Sequence, residues 1–195
     1  DRFYALAPMS HGAGFAFAMC TLYFGGFVEI APRFDPAQVL ERLAEGAFSG
    51  VFMVPTHFQA IFALPPEVLA RRKGTARTLR TIISNAAALP QPVKERIVAY
   101  FGEGLLHETY GSTEAGIVTN IRPQAQLRTR QSVGRAFALN EIRLLAPDGS
   151  EVPTGEVGEL FSRSPYLFEG YWNHPEWTAE CSREGGWVSA GDLAR

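Results

Sequence analysis

Leu79-Arg80-Thr81-Ile82-Ile83-Ser84, then Pro92 to Phe101, then Leu105-Leu106-His107-Glu108-Thr109 follow one another in the chain, and their order decides the fold. The first run is short, apolar and β-branched at its centre, which reads as a strand. The second carries helical spacing and stops at Gly102, a residue suited to a helix end. The third is a second strand, and it runs into Tyr110-Gly111. Strands of this kind alternating with helices imply a parallel sheet covered on both faces. Right-handed crossovers then give a doubly wound layer, whose ligands sit at the carboxyl ends of the strands.

The same alternation extends upstream. Phe3–Ala7 predicts a strand, about Gly14–Phe24 an apolar helix, and Phe27–Ala31 a second strand. Asp35-Pro36 is a helix start, with an apolar face of Val39, Leu40, Leu43 and Ala44 and a stop at Gly46. Val51–Val54 is a strand, and Pro55-Thr56 starts another helix. From Phe3 to Val28 no Asp, Glu, Lys or Arg occurs, enough length for a bilayer span of about 20 residues. Pro8, Ser10, His11 and Gly12, Gly14, Gly25 and Gly26 interrupt the run, and buried strand and helix is the expected reading. Downstream, Arg122–Arg130 reads as a polar linker. Glu141–Leu145, Gly158–Phe161 and Trp187–Ser189 are expected to form a small antiparallel sheet or barrel, separated by Pro- and Gly-containing turns. The expected division is therefore an α/β layer over 1–123 and a β-rich portion over 124–195.

Composition narrows the function classes. With 46% apolar and 19% charged residues, the chain of 195 residues can bury a core. A formal charge of −2 argues against binding nucleic acid or anionic membrane by bulk charge. Cys20 and Cys181 are far apart and build neither a disulfide framework nor a zinc cluster, so a reducing, cytoplasmic compartment is expected. The chain opens on Asp1-Arg2-Phe3 and stops at Asp192-Leu193-Ala194-Arg195, which suggests a segment of a longer protein.

Several catalytic templates fail. No GxxxxGK[ST] loop or GxSxG elbow occurs, Gly12-Ala13-Gly14 lacks the third glycine of a dinucleotide fingerprint, and the histidines at 11, 57, 107 and 174 have no metal-type spacing. Glu108-Thr109-Tyr110-Gly111-Ser112-Thr113-Glu114 is different. A strand end there presents a ring, a flexible joint, two hydroxyls and a carboxylate within a few residues. Tyr110 can stack on a base, a contact worth roughly 1–3 kcal/mol. Gly111 permits close backbone approach, Thr113 can donate to a phosphate oxygen, and Glu114 can hold Mg2+. The competing reading is a plain turn, with Tyr110 in the core and Glu114 in solvent.

Three further runs accompany that segment: the small-residue stretch Ser84-Asn85-Ala86-Ala87-Ala88-Leu89-Pro90, then Gly158-Glu159-Leu160 with Gly170-Tyr171-Trp172, and finally Gly186-Trp187-Val188-Ser189-Ala190-Gly191-Asp192-Leu193. In this order, over essentially the whole chain, the set resembles the adenylate-forming superfamily of acyl-CoA synthetases, 4-coumarate ligases, luciferases and peptide-synthetase adenylation domains. The resemblance implies that Tyr110 stacks on adenine while the backbone of Asn85, Ala86, Ala87 and Ala88 covers the other face. Thr109, Gly111 and Ser112 complete the nucleotide segment. Glu108 falls where an acceptor for the adenine amino group is usual, Thr113 at the α-phosphate, Glu114 at Mg2+, and Asp192 at the ribose hydroxyls. It further implies ATP-dependent conversion of a carboxylic acid to an acyl-adenylate and then, with coenzyme A, to a thioester.

The departures matter too. Asn85-Ala86-Ala87-Ala88 lacks the usual glycines and proline, and Ala190 stands where threonine is usual. The phosphate loop and the catalytic-lysine lid domain are expected outside this chain, so the segment alone is expected to be inactive. By the same resemblance, His11, Gly12, Gly14, Phe15 and Thr56 wall the acyl pocket. The absence of a carboxylate from Phe3 to Val28 argues against an amino-acid substrate and for a fatty or aryl acid. A nucleotide-binding pseudoenzyme and an adenylating enzyme with a non-CoA acceptor remain the alternatives.

Overall fold

The computed structural model describes residues 1–195 as two compact units. The chain passes between them after Thr109, Asn120 and Gly134. The sequence places a single division at residue 123. The difference arises because the strand ending in the Tyr110 segment does not stop at Thr109 but continues to Ser112.

The first unit is a parallel sheet. Its strands are β1 (Arg2–Ala5), β2 (Phe27–Ile30), β3 (Gly50–Phe52), β4 (Thr81–Ser84) and β5 (Leu106–Ser112, as far as Thr109), in the order β2-β1-β3-β4-β5. Helices α1 (Gly12–Tyr23), α2 (Pro36–Ala44), α3 (Pro55–Phe62), α4 (Pro66–Arg72) and α5 (Gln91–Phe101) connect them. Period-two alternation sorts the strand residues between two cores. Tyr4, Leu6, Val51, Met53 and Ile82 pack with Val39, Leu40 and Leu43 of α2, with Phe58 and Ile61 of α3 and with Ile97 of α5. Phe3, Ala5, Ala7 and Phe52 pack on the other side with Ala18 and Phe17 of α1. The doubly wound reading is therefore observed, with α1 alone opposite the larger helical layer. No helix is long and apolar enough to cross a membrane.

Local signals explain the helix limits. Asp35 accepts the Gln38 N–H at 2.9 Å, Pro36 occupies the first turn of α2, and Gly46 follows it at φ +73°. Gly102 ends α5 at φ +113°. The expected linker 122–130 is not one. It holds a short 3-10 turn, Pro123–Ala125, and Gln126, whose side chain is fully buried and donates to the carbonyls of Leu106 and Ile121 at 3.2 and 2.9 Å. A polar side chain buried with its donors satisfied is structural, and composition alone could not reveal it.

In the second unit, β5 finishes at Tyr110–Ser112, followed by β6 (Gly116–Ile121) and β7 (Arg135–Ala136), which pairs antiparallel with β6. A four-stranded antiparallel sheet comes next, built from β8 (Glu141–Leu145), β9 (Gly158–Arg163), β10 (Ser182–Arg183) and β11 (Trp187–Ala194) in the order β10-β11-β9-β8, with α6 (Pro175–Cys181) before β10. The three expected strands are all present, and β11 runs five residues further than its apolar start suggested.

Two measurements test this packing. Ala86, in the turn after β4, is a non-glycine residue at φ +73° and is exposed, so its methyl group stores backbone strain without packing gain. Ala86→Gly is expected to raise stability by ~0.5–1 kcal/mol in chemical denaturation; a loss would contradict strain there. His57 of α3 lies flat on Phe34, ring centroids 4.0 Å apart, and burial pulls its pKa below the usual 6.5. The unfolded chain therefore binds the extra proton first, and stability present above pH 6.5 is lost as pH falls below it. The melting temperature of His57→Gln should fall less steeply than that of the parent protein between pH 7 and 5.

Candidate functional site

The carboxyl ends of β4 and β5 meet in the first unit through side chains. Asn85 donates from Nδ2 to Thr109 Oγ1 at 2.9 Å, and its Oδ1 accepts the Ala86 N–H. Ala86, Ala87 and Ala88 are exposed, and Leu89 turns inward and is buried. The Leu89 N–H donates to Glu108 Oε1 at 3.2 Å. The Glu108 carboxylate also forms an ion pair with Lys94 of α5, and both side chains are less than a tenth exposed. Glu108 is therefore not a surface carboxylate: Oε1 accepts from Leu89 and Oε2 pairs with Lys94. A buried charge must be neutralised where it lies, and Lys94 does so.

The acyl candidates lie at the carboxyl ends of two neighbouring strands of the same sheet. His11 and Gly12 stand at the start of α1 after β1, and Thr56 stands in the first turn of α3 after β3; all three are exposed. The chain winds in opposite directions from β1 and β3, so these residues occupy the topological switch point where such sheets bind ligands. Phe15 is half exposed. Gly14 is different, because it is buried and a Cβ there would come within 2.9 Å of the Pro8 carbonyl oxygen. Glycine is required there by the close approach of α1 to the end of β1.

The second unit holds the remaining candidates. Gly111 lies so close to β6 that a Cβ would meet the Gly116 carbonyl oxygen at 1.9 Å, so no other residue fits between Tyr110 and Ser112. Tyr110 is half-buried beside Ala115, Val118 and Leu160. Its hydroxyl donates to Asp192 Oδ2 at 2.7 Å, joining residues 82 positions apart. Burial and that hydrogen bond push the Tyr110 pKa far above the usual phenol value, so it stays a donor. Asp192 itself is exposed by an irregularity in β11. The register to β9 shifts between Ser189 and Leu193, Gly191 adopts φ +81°, and its N–H donates to Ser189 Oγ at 3.0 Å. Buried Trp187–Ser189 are thereby followed by exposed Ala190–Leu193, the usual effect of a bulge in re-aiming a side chain.

Thr113 is exposed, and Glu114 beside it is partly buried. The Glu114 carboxylate accepts from the Tyr171 hydroxyl, and Phe168 N–H donates to its main-chain carbonyl at 2.9 Å. Partial burial pushes the Glu114 pKa up, yet the Tyr171 and Ser112 hydroxyls outweigh it and the net shift is downward. Tyr171 is pushed up to about 12, chiefly by the same hydrogen bond. Glu114 is thus ionised at neutral pH. With Glu159, Glu180, Tyr171 and Trp177 it lines a cavity of about 530 Å3 that reaches Ser189–Gly191. No cluster of three metal-ligating side chains exists. Glu114 suits Mg2+ that takes its other ligands from phosphate and water.

Two residues escaped the sequence reading. Tyr171 was visible only as part of Gly170-Tyr171-Trp172, with nothing in the pattern to link it to Glu114. Lys94 carried a signal: it shares a helical face with the buried Ile97 and Tyr100, where a lysine needs a partner.

Comparison with known proteins identifies the family. Residues 1–172 match the family described as AMP-binding enzyme. Over the whole chain, it is 34% identical to 38% of a feruloyl-CoA synthase from Amycolatopsis sp. and 31% identical to 33% of the medium/long-chain-fatty-acid–CoA ligase FadD8 of Mycobacterium tuberculosis. Among solved structures, the amide bond synthetase McbA of Marinactinospora thermotolerans superposes with a TM-score of 0.87 at 30% identity, over 98% of this chain and 38% of that one. The chain spans between a third and two-fifths of the length of these proteins. On the family match, over residues bearing both the Tyr110 segment and the small-residue turn, the chain belongs to the AMP-binding enzymes.

Proposed function

We propose that the chain is the nucleotide- and acid-binding part of a longer, cytoplasmic enzyme that activates a carboxylic acid with ATP and passes the acyl group to coenzyme A. The observation that carries this reading is the Tyr110–Asp192 hydrogen bond, which sets a stacking ring beside a carboxylate suited to ribose hydroxyls. In the first unit the turn Asn85–Ala88, whose three alanines are exposed, offers its backbone to the other face of the base. Thr113 donates to the α-phosphate. Glu114, held ionised by Tyr171 and Ser112, is the residue for Mg2+. That cation supplies charge neutralisation on the phosphates when bound.

The chemistry follows from the weakness of a carboxylate as an electrophile. Its oxygen attacks the α-phosphorus of ATP, the bond from that phosphorus to the bridging oxygen breaks, and pyrophosphate leaves. A thiol sulfur then attacks the acyl carbon and expels AMP, leaving a thioester. This sequence depends mainly on positioning and on fixed donors around the phosphate. The chain alone is proposed to be inactive, since the phosphate loop and the lid domain with its lysine belong elsewhere in the longer protein. A fatty or aryl acid suits the carboxylate-free stretch from Phe3 to Val28, and the relatives' names include one of each. A second reading keeps adenylation and changes the acceptor to an amine; similarity to an amide bond synthetase favours it.

Carboxylate-dependent exchange of pyrophosphate into ATP by the full-length protein, offered pooled fatty and aryl acids, tests adenylation. Exchange is expected, Glu114→Gln should abolish it, and splitting the pool identifies the acid. Exchange that survives Glu114→Gln would remove that residue from the reaction. Asp192→Ala loses charged hydrogen bonds worth ~1.5–3 kcal/mol, so ATP should bind about ten- to a hundredfold more weakly in calorimetry. Tyr110→Phe keeps the ring and should cost less than Asp192→Ala.

A further inference from the structure

We propose that the buried Lys94–Glu108 pair is a positioning device for the turn Ala86–Leu89, and through it for nucleotide affinity; the inference rests on the nucleotide reading above. Three exposed alanines, with no side chain able to hold a conformation, are bracketed by two anchored residues. On one side Asn85 is tied to Thr109 Oγ1 at 2.9 Å. On the other, the buried Leu89 donates its N–H to Glu108 Oε1 at 3.2 Å. Between them Ala86 sits at φ +73°, a conformation that persists only where its surroundings impose it.

Glu108 can serve as that anchor only if its carboxylate stays inside the unit. Its side chain is 8% exposed, and the group that keeps it there is Lys94, 4% exposed on the inner face of α5. Apolar residues of similar volume at both positions would pack at least as stably as a buried ion pair. They would also leave the Leu89 N–H buried without an acceptor. What the pair adds over apolar packing is therefore a fixed acceptor, placed two residues before Tyr110. Lys73, the other lysine of the chain, is exposed and has no comparable position.

The test compares two doubly substituted full-length proteins in pyrophosphate exchange and thermal melting. Lys94→Met with Glu108→Gln removes both charges and keeps an oxygen for the Leu89 N–H. Lys94→Met with Glu108→Leu removes the charges and the oxygen. The first should keep the KM for ATP within about threefold of the parent. The second should raise it about tenfold or more, with kcat little changed. Lys94→Met alone, which leaves a buried charge unpaired, should raise the KM and lower the melting temperature. Equal KM values for the two double variants would overturn the proposal, whatever their melting temperatures, because only the first keeps an oxygen to accept the Leu89 N–H. Failure of the parent protein to bind ATP at all would instead strike the nucleotide reading on which the proposal stands.

Discussion

A carboxylate cannot be left inside a protein without a countercharge and donors, and Glu108 imposes that requirement at the point where the parallel sheet ends. Lys94 supplies the charge and the Leu89 N–H the donor. Meeting the requirement fixes three things together: the inner face of α5, the turn after β4, and the last residues of β5 before Tyr110. The turn Asn85–Ala88 is bounded on one side by the Asn85–Thr109 hydrogen bond and on the other by the buried Leu89, whose N–H meets Glu108.

The second unit solves a related problem differently. Its two candidate carboxylates, Asp192 and Glu114, are each met by a tyrosine hydroxyl, from Tyr110 and Tyr171 respectively. Neither tyrosine ionises under ordinary conditions, so both remain donors to the carboxylates they meet. The bulge at Gly191 and the close passage at Gly111 are the backbone counterparts of this arrangement. One re-aims Asp192 out of the sheet, and the other brings β5 against β6 with no room for a side chain. Charge and ring are thus held in place within this unit by its own hydrogen bonds.

Much of this was legible in the residues. Apolar strand runs, proline helix starts and glycine stops give the alternation of β1 to β5 with their helices, because those signals act within a few residues of where they are written. The Glu108–Glu114 run and the small-residue turn pointed to a nucleotide for the same reason: the chemistry is contiguous. Less legible were the elements whose meaning depends on distant partners. Gln126 looked like linker and is fully buried, and the close passage of α1 over Pro8 that demands glycine at position 14 is not written in the local pattern.

The sequence by itself therefore determined the fold class, the family and the segment on which the nucleotide reading turns, since local propensity and ordered motifs suffice for each. Only the tertiary structure decided that Glu108 faces Lys94, that Tyr110 meets Asp192 across 82 positions, and that Tyr171 holds Glu114. A carboxylate reads the same in a sequence whether it is solvated, paired or poised for a ligand. Its role is set by burial and by the donors within about 3 Å, and the folded chain alone specifies those.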